Sequence, residues 1–221
     1  DLLVDGLVIN STLDSADYFL NEVVNLSAII DPLYEFVDWQ SNNHVILPNS
    51  ISLTTSFAVN SSDTIVLNIS KKPSITYVVD PPGTSSTINV DGVVIGAFPT
   101  TIFYTTNQTV NISPNLDPIY GFNSWSSDSN VLSPNTLTQT ISFNVAYSDT
   151  IKLHLYQKPT IVYNVNPSGT LTTININGVV VSAFPYSETV FIDDLNTISP
   201  NIDPEFGFGS WSSVHNTLLN G

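Results

Sequence analysis

Apolar and polar residues alternate along several short segments of the chain. Residues 65–69 and 151–155 place an apolar side chain at every second position, and residues 75–79 are β-branched or aromatic throughout. A period of two puts alternate side chains on opposite faces of a strand. No window shows the 3.6-residue apolar period of an amphipathic helix. The pattern predicts an all-β chain with more than about 40% strand and little helix.

Two-residue turn signals separate some of these runs. Asp91-Gly92 lies between the apolar segments 87–90 and 93–95, and Asp5-Gly6 and Asn177-Gly178 have similar surroundings. Both central residues of a type I′ turn need φ > 0, which Gly, Asn and Asp tolerate best. Each dipeptide therefore predicts a tight β-hairpin.

The chain repeats itself with a period of 86 residues. Its three tryptophans, Trp39, Trp125 and Trp211, are 86 residues apart, and no insertion or deletion is needed across the chain. The period predicts a partial unit at residues 1–71 that lacks its opening strand, a complete unit at 72–157, and a partial unit at 158–221 that lacks its closing hairpin. We expect tandem antiparallel β modules, each a small sandwich or β-grasp-like, in an extended array.

An aromatic segment ends at the tryptophan of each copy. Large aromatic side chains dominate a small core, and one set at a fixed strand position in each unit is what packing requires. The alternative is a platform for stacking on sugars. We predict that the core of the repeat contains nine aromatic residues: Tyr34, Phe36, Trp39, Tyr120, Phe122, Trp125, Phe206, Phe208 and Trp211.

The charge of the chain limits its partners. The formal net charge is −15, there is no Arg, and the only basic residues are four lysines. Nucleic-acid binding needs clustered cations, so a nucleic-acid partner is not expected. No segment approaches the ~18 apolar residues of a spanning helix, so membrane insertion is not expected either. Residues 1–10 lack the features of a signal peptide, and we expect either a removed export signal or an internal piece of a longer protein.

Reactive residues do not form a recognisable site in the sequence. Cys is absent, and His44, His154 and His215 occupy different places in the repeat. We therefore predict no catalytic residue, no metal site, no cofactor and no enzymatic activity. The recurring Asp117-Pro118 dipeptide is typical of a turn, with a calcium ligand as the alternative.

The order of segments resembles a known family of bacterial surface repeats. Tyr120-Gly121-Phe122-Asn123-Ser124-Trp125 and its counterpart ending at Trp211 are similar to the G-Y-x-F-x-x-W signature of the internalin-type B-repeat, although here the Gly follows the aromatic residue. The first copy, Tyr34-Glu35-Phe36-Val37-Asp38-Trp39, departs further. The resemblance implies small β-rich modules strung along surface adhesins. The acidic, Arg-free composition also resembles giant adhesins of the Bacteroidetes, including those of gliding motility.

That resemblance also implies a modification. Bacteria of this group O-glycosylate Ser or Thr that follows Asp and precedes an apolar residue, and the matching positions are Ser15, Thr64 and Thr150. The alternative is that Asp ends a turn and Thr begins a strand.

Three functions are open at this point. The first is a non-catalytic stalk of a secreted cell-surface adhesin, whose partners are neighbouring repeats of the same chain. The second is a carbohydrate-binding array, with surface glycans or other surface proteins as partners. The third is an accessory region of a secreted enzyme. In each case we expect an extracellular or cell-surface location.

Overall fold

The computed structural model describes residues 1–9 and 15–218. Within these ranges the chain is 45% strand and has no helix, which confirms the predicted all-β class. No described helix is long and apolar enough to cross a membrane. The strands are β1 Leu2–Val4, β2 Leu7–Ile9, β3 Val23–Ala28, β4 Tyr34–Gln40, β5 Thr54–Ala58, β6 Val66–Lys71, β7 Ser74–Asp80, β8 Thr87–Val90, β9 Val93–Ile95, β10 Thr100–Phe103, β11 Thr109–Asn115, β12 Tyr120–Ser126, β13 Ile141–Asn144, β14 Asp149–Gln157, β15 Thr160–Tyr163, β16 Thr173–Ile176, β17 Val179–Val181, β18 Tyr186–Thr189 and β19 Ile198–Asn201.

The complete copy contributes two four-stranded sheets. Their strand orders are β10-β7-β14-β12 and β13-β11-β8-β9. The first copy has the counterpart of the second sheet, in the order β2-β1-β3-β5, together with a two-stranded sheet of β4 and β6. The third copy has β17-β16-β19 and a two-stranded sheet of β15 and β18.

One strand pair departs from the predicted antiparallel pattern. Strand β14 pairs with β7 in parallel, from Asp149 opposite Ile75 to His154 opposite Asp80. These are the first and last strands of the complete copy, and parallel neighbours need a long crossover rather than a tight turn. Alternation of residues predicts where strands lie and leaves their pairing open, so this direction is a correction that the structure supplies.

The predicted hairpin turns form at all three positions. Asp5 and Gly6 have φ of 47° and 83°, Asp91 and Gly92 have 48° and 88°, and Asn177 and Gly178 have 51° and 88°. Both residues of each turn therefore lie in the left-handed region. Through a side-chain oxygen, the first turn residue of each copy accepts the backbone N–H of a residue twenty positions later, at Asn25, Asn111 and Thr197 respectively.

Each core lies between two sheets. In the first copy, Val24, Leu26 and Phe57 of the β2-β1-β3-β5 sheet cluster with Trp39 of the β4-β6 sheet. In the third copy, Tyr163 of β15 clusters with Ile174 and Ile176 of β16. Face-to-face sheets that bury alternate residues are the arrangement of a small β-sandwich.

The chain divides into two compact units, which do not coincide with the copies. One comprises Asp1–Asn115 with Asn123–His154, and the other comprises Leu116–Phe122 with Leu155–Gly221. The boundaries at residues 72 and 158 remain a prediction from the sequence period.

Candidate functional site

Two of the three tryptophans lie in the core. Trp39 is 2% exposed and Trp125 is 1% exposed. The indole Nε1–H of Trp39 donates to the carbonyl of Ser52 at 2.9 Å, and that of Trp125 donates to the carbonyl of Gln139 at 3.0 Å. Each ring thus has both its apolar surface and its polar hydrogen satisfied inside the protein. A ring buried to this degree has no free face on which a sugar could stack.

A β-bulge explains the spacing of the aromatic residues. In the pairing of β4 with β6, the register shifts between Phe36 and Asp38. The extra residue lets Phe36 and Trp39, three positions apart, contact the same core, with ring centroids 6.1 Å apart. The irregularity in the Tyr-x-Phe-x-x-Trp pattern is therefore a structural feature of the strand.

Several aromatic residues that the sequence placed in the core are exposed in the structure. Tyr34, Phe206 and Phe208 are exposed, which corrects their assignment to the core. Tyr34 is the first residue of β4, and residues 206 and 208 lie outside the described strands. Three further aromatic residues are half-buried: Phe36, Tyr120 and Phe122.

Trp211 differs from its two counterparts. It is half-buried and packs against the cluster of the third copy, with its ring 5.9 Å from that of Phe208. In the first copy the tryptophan strand is paired with β6, which lies later in the sequence. No described strand follows β19, so Trp211 has no such strand beside it among residues 1–9 and 15–218.

The candidate modification sites have different exposures. Ser15 and Thr64 are exposed, whereas Thr150 is half-buried. Thr150 is the second residue of β14 and is paired with Thr76 of β7. A bulky group on Thr150 would have to fit beside this ladder, so the three sites are not equivalent.

The aspartate that precedes Thr64 fastens a loop. Asp63 Oδ2 accepts hydrogen bonds from Ser41 Oγ at 2.5 Å and from the N–H of Asn43 at 3.0 Å, and lies 2.9 Å from His44 Nδ1. The side chains of Asp63 and His44 are 4% and 2% exposed. The hydrogen bond from Ser41 is the main cause that lowers the pKa of Asp63 far below its usual value, against an opposing effect of burial.

The complete copy has the same network around Asp149. Its carboxylate accepts Ser127 Oγ, the N–H of Asp128 and both the N–H and Nδ2 of Asn130. Burial alone would raise the pKa of Asp149, but these hydrogen bonds favour the charged form and lower it on balance. The expectation that Asp ends a turn and Thr begins a strand is not met at either pair, because Asp149 is already the first residue of β14 and β6 begins at Val66, two residues after Thr64. In both copies the aspartate instead fastens the loop that follows the tryptophan strand.

A histidine and an asparagine have the same role in the two networks. His44 Nδ1 faces Asp63, and His44 Nε2 accepts the N–H of Asn60 at 3.2 Å. Asn130, 86 residues after His44, donates to Asp149 and accepts the N–H of Ala146 at 2.9 Å. Both side chains bridge a carboxylate and a backbone N–H. Sequence reasoning missed this role, although Ser41 and Asp63 recur at the period and signal a shared loop.

Short joints with backbone hydrogen bonds connect neighbouring copies. Only Lys72 and Pro73 separate β6 from β7, and the N–H of Lys72 donates to the carbonyl of Leu33 at 2.9 Å. At the next joint the N–H of Lys158 donates to the carbonyl of Ile119, also at 2.9 Å. The same bond therefore forms at both joints.

Side chains reinforce the two joints in different ways. At the first, both the N–H and Oγ1 of Thr106 donate to the Glu35 carboxylate. The side-chain bond from Thr106 is the main cause that lowers the pKa of Glu35. At the second, Lys158 Nζ donates to the carbonyl of Pro118 at 3.0 Å and lies 4.0 Å from the ring centroid of Phe191.

A glycine and a tyrosine are matched across strands β12 and β14. A Cβ placed on Gly121 would lie 2.2 Å from Cζ of Tyr156, so the ring covers the glycine. In the first copy the corresponding residues are Glu35 and Ser70, which are joined by a 3.2 Å hydrogen bond from Ser70 Oγ. The larger side chain is on β14 in the complete copy, as Tyr156, and on β4 in the first copy, as Glu35. In both copies the two residues of the pair are in contact.

The described ranges contain no group of three or more His, Cys, Asp or Glu side chains placed to hold a metal ion. Comparisons with protein-family models, curated proteins and solved structures found no match.

Proposed function

We propose that this chain is a non-catalytic stalk region of a secreted bacterial cell-surface adhesin. In this role each copy adds length between the cell and a distal binding part. The observation that carries the proposal is the return of the same backbone and side-chain contacts every 86 residues, in the turns, the aspartate loops and the joints. Serial units of one architecture add reach without requiring chemistry at any one unit.

The joints support an extended arrangement. Two residues connect the last strand of one copy to the first strand of the next, and Pro at the second of them fixes φ. The residue before Pro is also restricted to an extended conformation. A net charge of −15 adds repulsion between neighbours, which salt would screen.

The burial of Trp39 and Trp125 argues against the carbohydrate-binding alternative. A binding platform needs an accessible ring, and these rings are enclosed by their own unit. The proposed partners are therefore neighbouring copies of the repeat.

Small-angle scattering on the chain tests the stalk. A compact protein of 221 residues has a radius of gyration of about 17 Å. We expect a clearly larger value that grows further when more copies are added. A value near 17 Å, independent of salt, would contradict an extended array.

Protease treatment of intact cells of the source organism tests the location. An antibody against the chain should detect it before treatment and lose the signal afterwards, while a cytoplasmic control protein persists. Retention of the chain under conditions that degrade the purified protein would remove the surface assignment.

We further propose O-linked glycan at Ser15 and Thr64, the exposed members of the three candidate sites. Their accessibility supports this, and the half-burial of Thr150 makes it the least suitable of the three. Intact mass of the chain from its own organism should exceed the sequence mass and return to it in the double variant Ser15→Ala/Thr64→Val. A mass equal to that of the bare chain would end the hypothesis.

A further inference from the structure

The first and last strands of the complete copy lie side by side and run in the same direction. Six residue pairs join β7 to β14, from Ile75 with Asp149 to Asp80 with His154. Both strands are inside the β10-β7-β14-β12 sheet, so neither is an edge.

This pair is fixed to the core along its length. Ile75, Tyr77, Ile151 and Leu153 are all 0% exposed, and Val79 is 4% exposed. Sliding β14 past β7 by one residue would turn Ile151 and Leu153 to the opposite face and out of the core. Resistance to sliding therefore comes from the packing as well as from the ladder.

Side chains tie both ends of the pair. At the start, the N–H of Ser74 donates to Ser148 Oγ at 3.0 Å. At the far end, His154 Nδ1 lies 3.3 Å from Asp80 Oδ2. The terminal bonds, which would be the first to open, thus have additional contacts beside them.

The direction of the strands decides how tension would act on them. The chain enters at the start of β7 and leaves at the end of β14, and the parallel register places these points at opposite ends of the pair. Tension along the chain then pulls the two strands past each other along their axes. All the hydrogen bonds between them are loaded together, whereas in a hairpin pulled at its open end they would break one after another.

We propose that the β7–β14 pair is a shear clamp that bears the tension transmitted through each repeat. The inference rests on the proposed stalk function, since only a chain held at both ends experiences such tension. In this role the β7–β14 pair carries the load, and the turns, loops and other strand pairs are not needed to bear it.

The absence of Cys from the sequence makes the test specific, because introduced thiols are the only points to which handles attach. In the full chain, Lys71→Cys with Gln157→Cys loads the pair in shear. Lys71→Cys with Tyr147→Cys is the matched control, since residue 147 lies two positions before the first residue of β14 and the force then peels the strands apart from one end. All three positions are exposed.

Single-molecule force spectroscopy at one loading rate compares the two variants. We expect a several-fold higher rupture force for the shear pair. The length gain should equal the extended contour of 86 residues, about 30 nm at ~3.5 Å each, less the folded separation of the two thiols. Equal thermal unfolding midpoints of the two variants and the parent would show that only the direction of pulling differs.

Equal rupture forces in the two directions, or a higher force for peeling, would overturn the clamp. The stalk would be unaffected by that result, because scattering and protease treatment test it separately. Conversely, a compact array would refute the stalk while the directional difference stayed measurable.

Discussion

Replacement of Trp125 by Ala tests the packing that defines the repeat. The side chain is 1% exposed and its Nε1–H is bonded to Gln139, so the substitution removes a buried ring and leaves a carbonyl without its partner. The same position in the first copy, Trp39, makes the equivalent bond to Ser52. The effect should therefore be similar in both copies.

Two estimates of the cost agree. A buried Trp removes ~150–250 Å² from water, which at ~25 cal/mol per Å² is about 4–6 kcal/mol. Truncations of large aromatic residues in cores cost roughly 3–5 kcal/mol. We expect Trp125→Ala to lower the free energy of unfolding by about 4 kcal/mol, a large share of the ~5–15 kcal/mol of a typical domain.

Urea unfolding followed by far-ultraviolet circular dichroism measures this change. Trp125→Phe retains most of the packing and loses the indole hydrogen bond, so its cost should be nearer 1–2 kcal/mol. Trp211→Ala is the matched control, because that ring is half-buried and its removal should cost less. A loss below about 1 kcal/mol for Trp125→Ala would refute the core assignment and restore an accessible ring as an explanation.

Further predictions concern pH, the glycine–tyrosine pair and the first joint. The pKa values of Asp63 and Asp149 are lower in the folded state than in the unfolded state, so both carboxylates stabilise the fold above about pH 4, and this contribution is lost as pH falls through the folded values. Asp63→Asn should therefore flatten the acid limb of a plot of unfolding midpoint against pH. An unchanged acid limb would contradict the prediction. Gly121→Ala should lower the free energy of unfolding by roughly 1–3 kcal/mol through its clash with Tyr156. In a double-mutant cycle, Tyr156→Ser should remove most of that cost, and additive effects of the two substitutions would refute the contact. Thr106→Val should raise the pKa of Glu35 towards its ordinary value, and carboxyl resonances that titrate as in the parent would argue against that contact.

The repeat was readable from the sequence because it depends on residues that few others can replace. Gly92 and its counterparts occupy backbone positions with φ near 85°, and the tryptophans fill the largest sites of two cores. The spacing of Phe36 and Trp39 departs from strict alternation, and the β4–β6 register has a bulge between them. Each of these features is local or strictly periodic.

The loop networks were harder to predict because different residues perform the same role. His44 and Asn130 occupy equivalent positions and make equivalent bonds, yet they share no charge or shape that a pattern search would match. Likewise the pair Glu35 and Ser70 is replaced by Gly121 and Tyr156, so each position looks variable until the two strands are seen together.

The β class, the hairpin turns and the burial of Trp39 and Trp125 could be predicted from the sequence, since they follow from side-chain alternation, backbone freedom at Gly and the size of an indole ring. The folded structure was needed to establish that β7 and β14 are parallel neighbours, because pairing depends on which strands meet across long loops. The folded structure also shows that Tyr34, Phe206 and Phe208 are exposed, because burial requires a covering element as well as an apolar side chain.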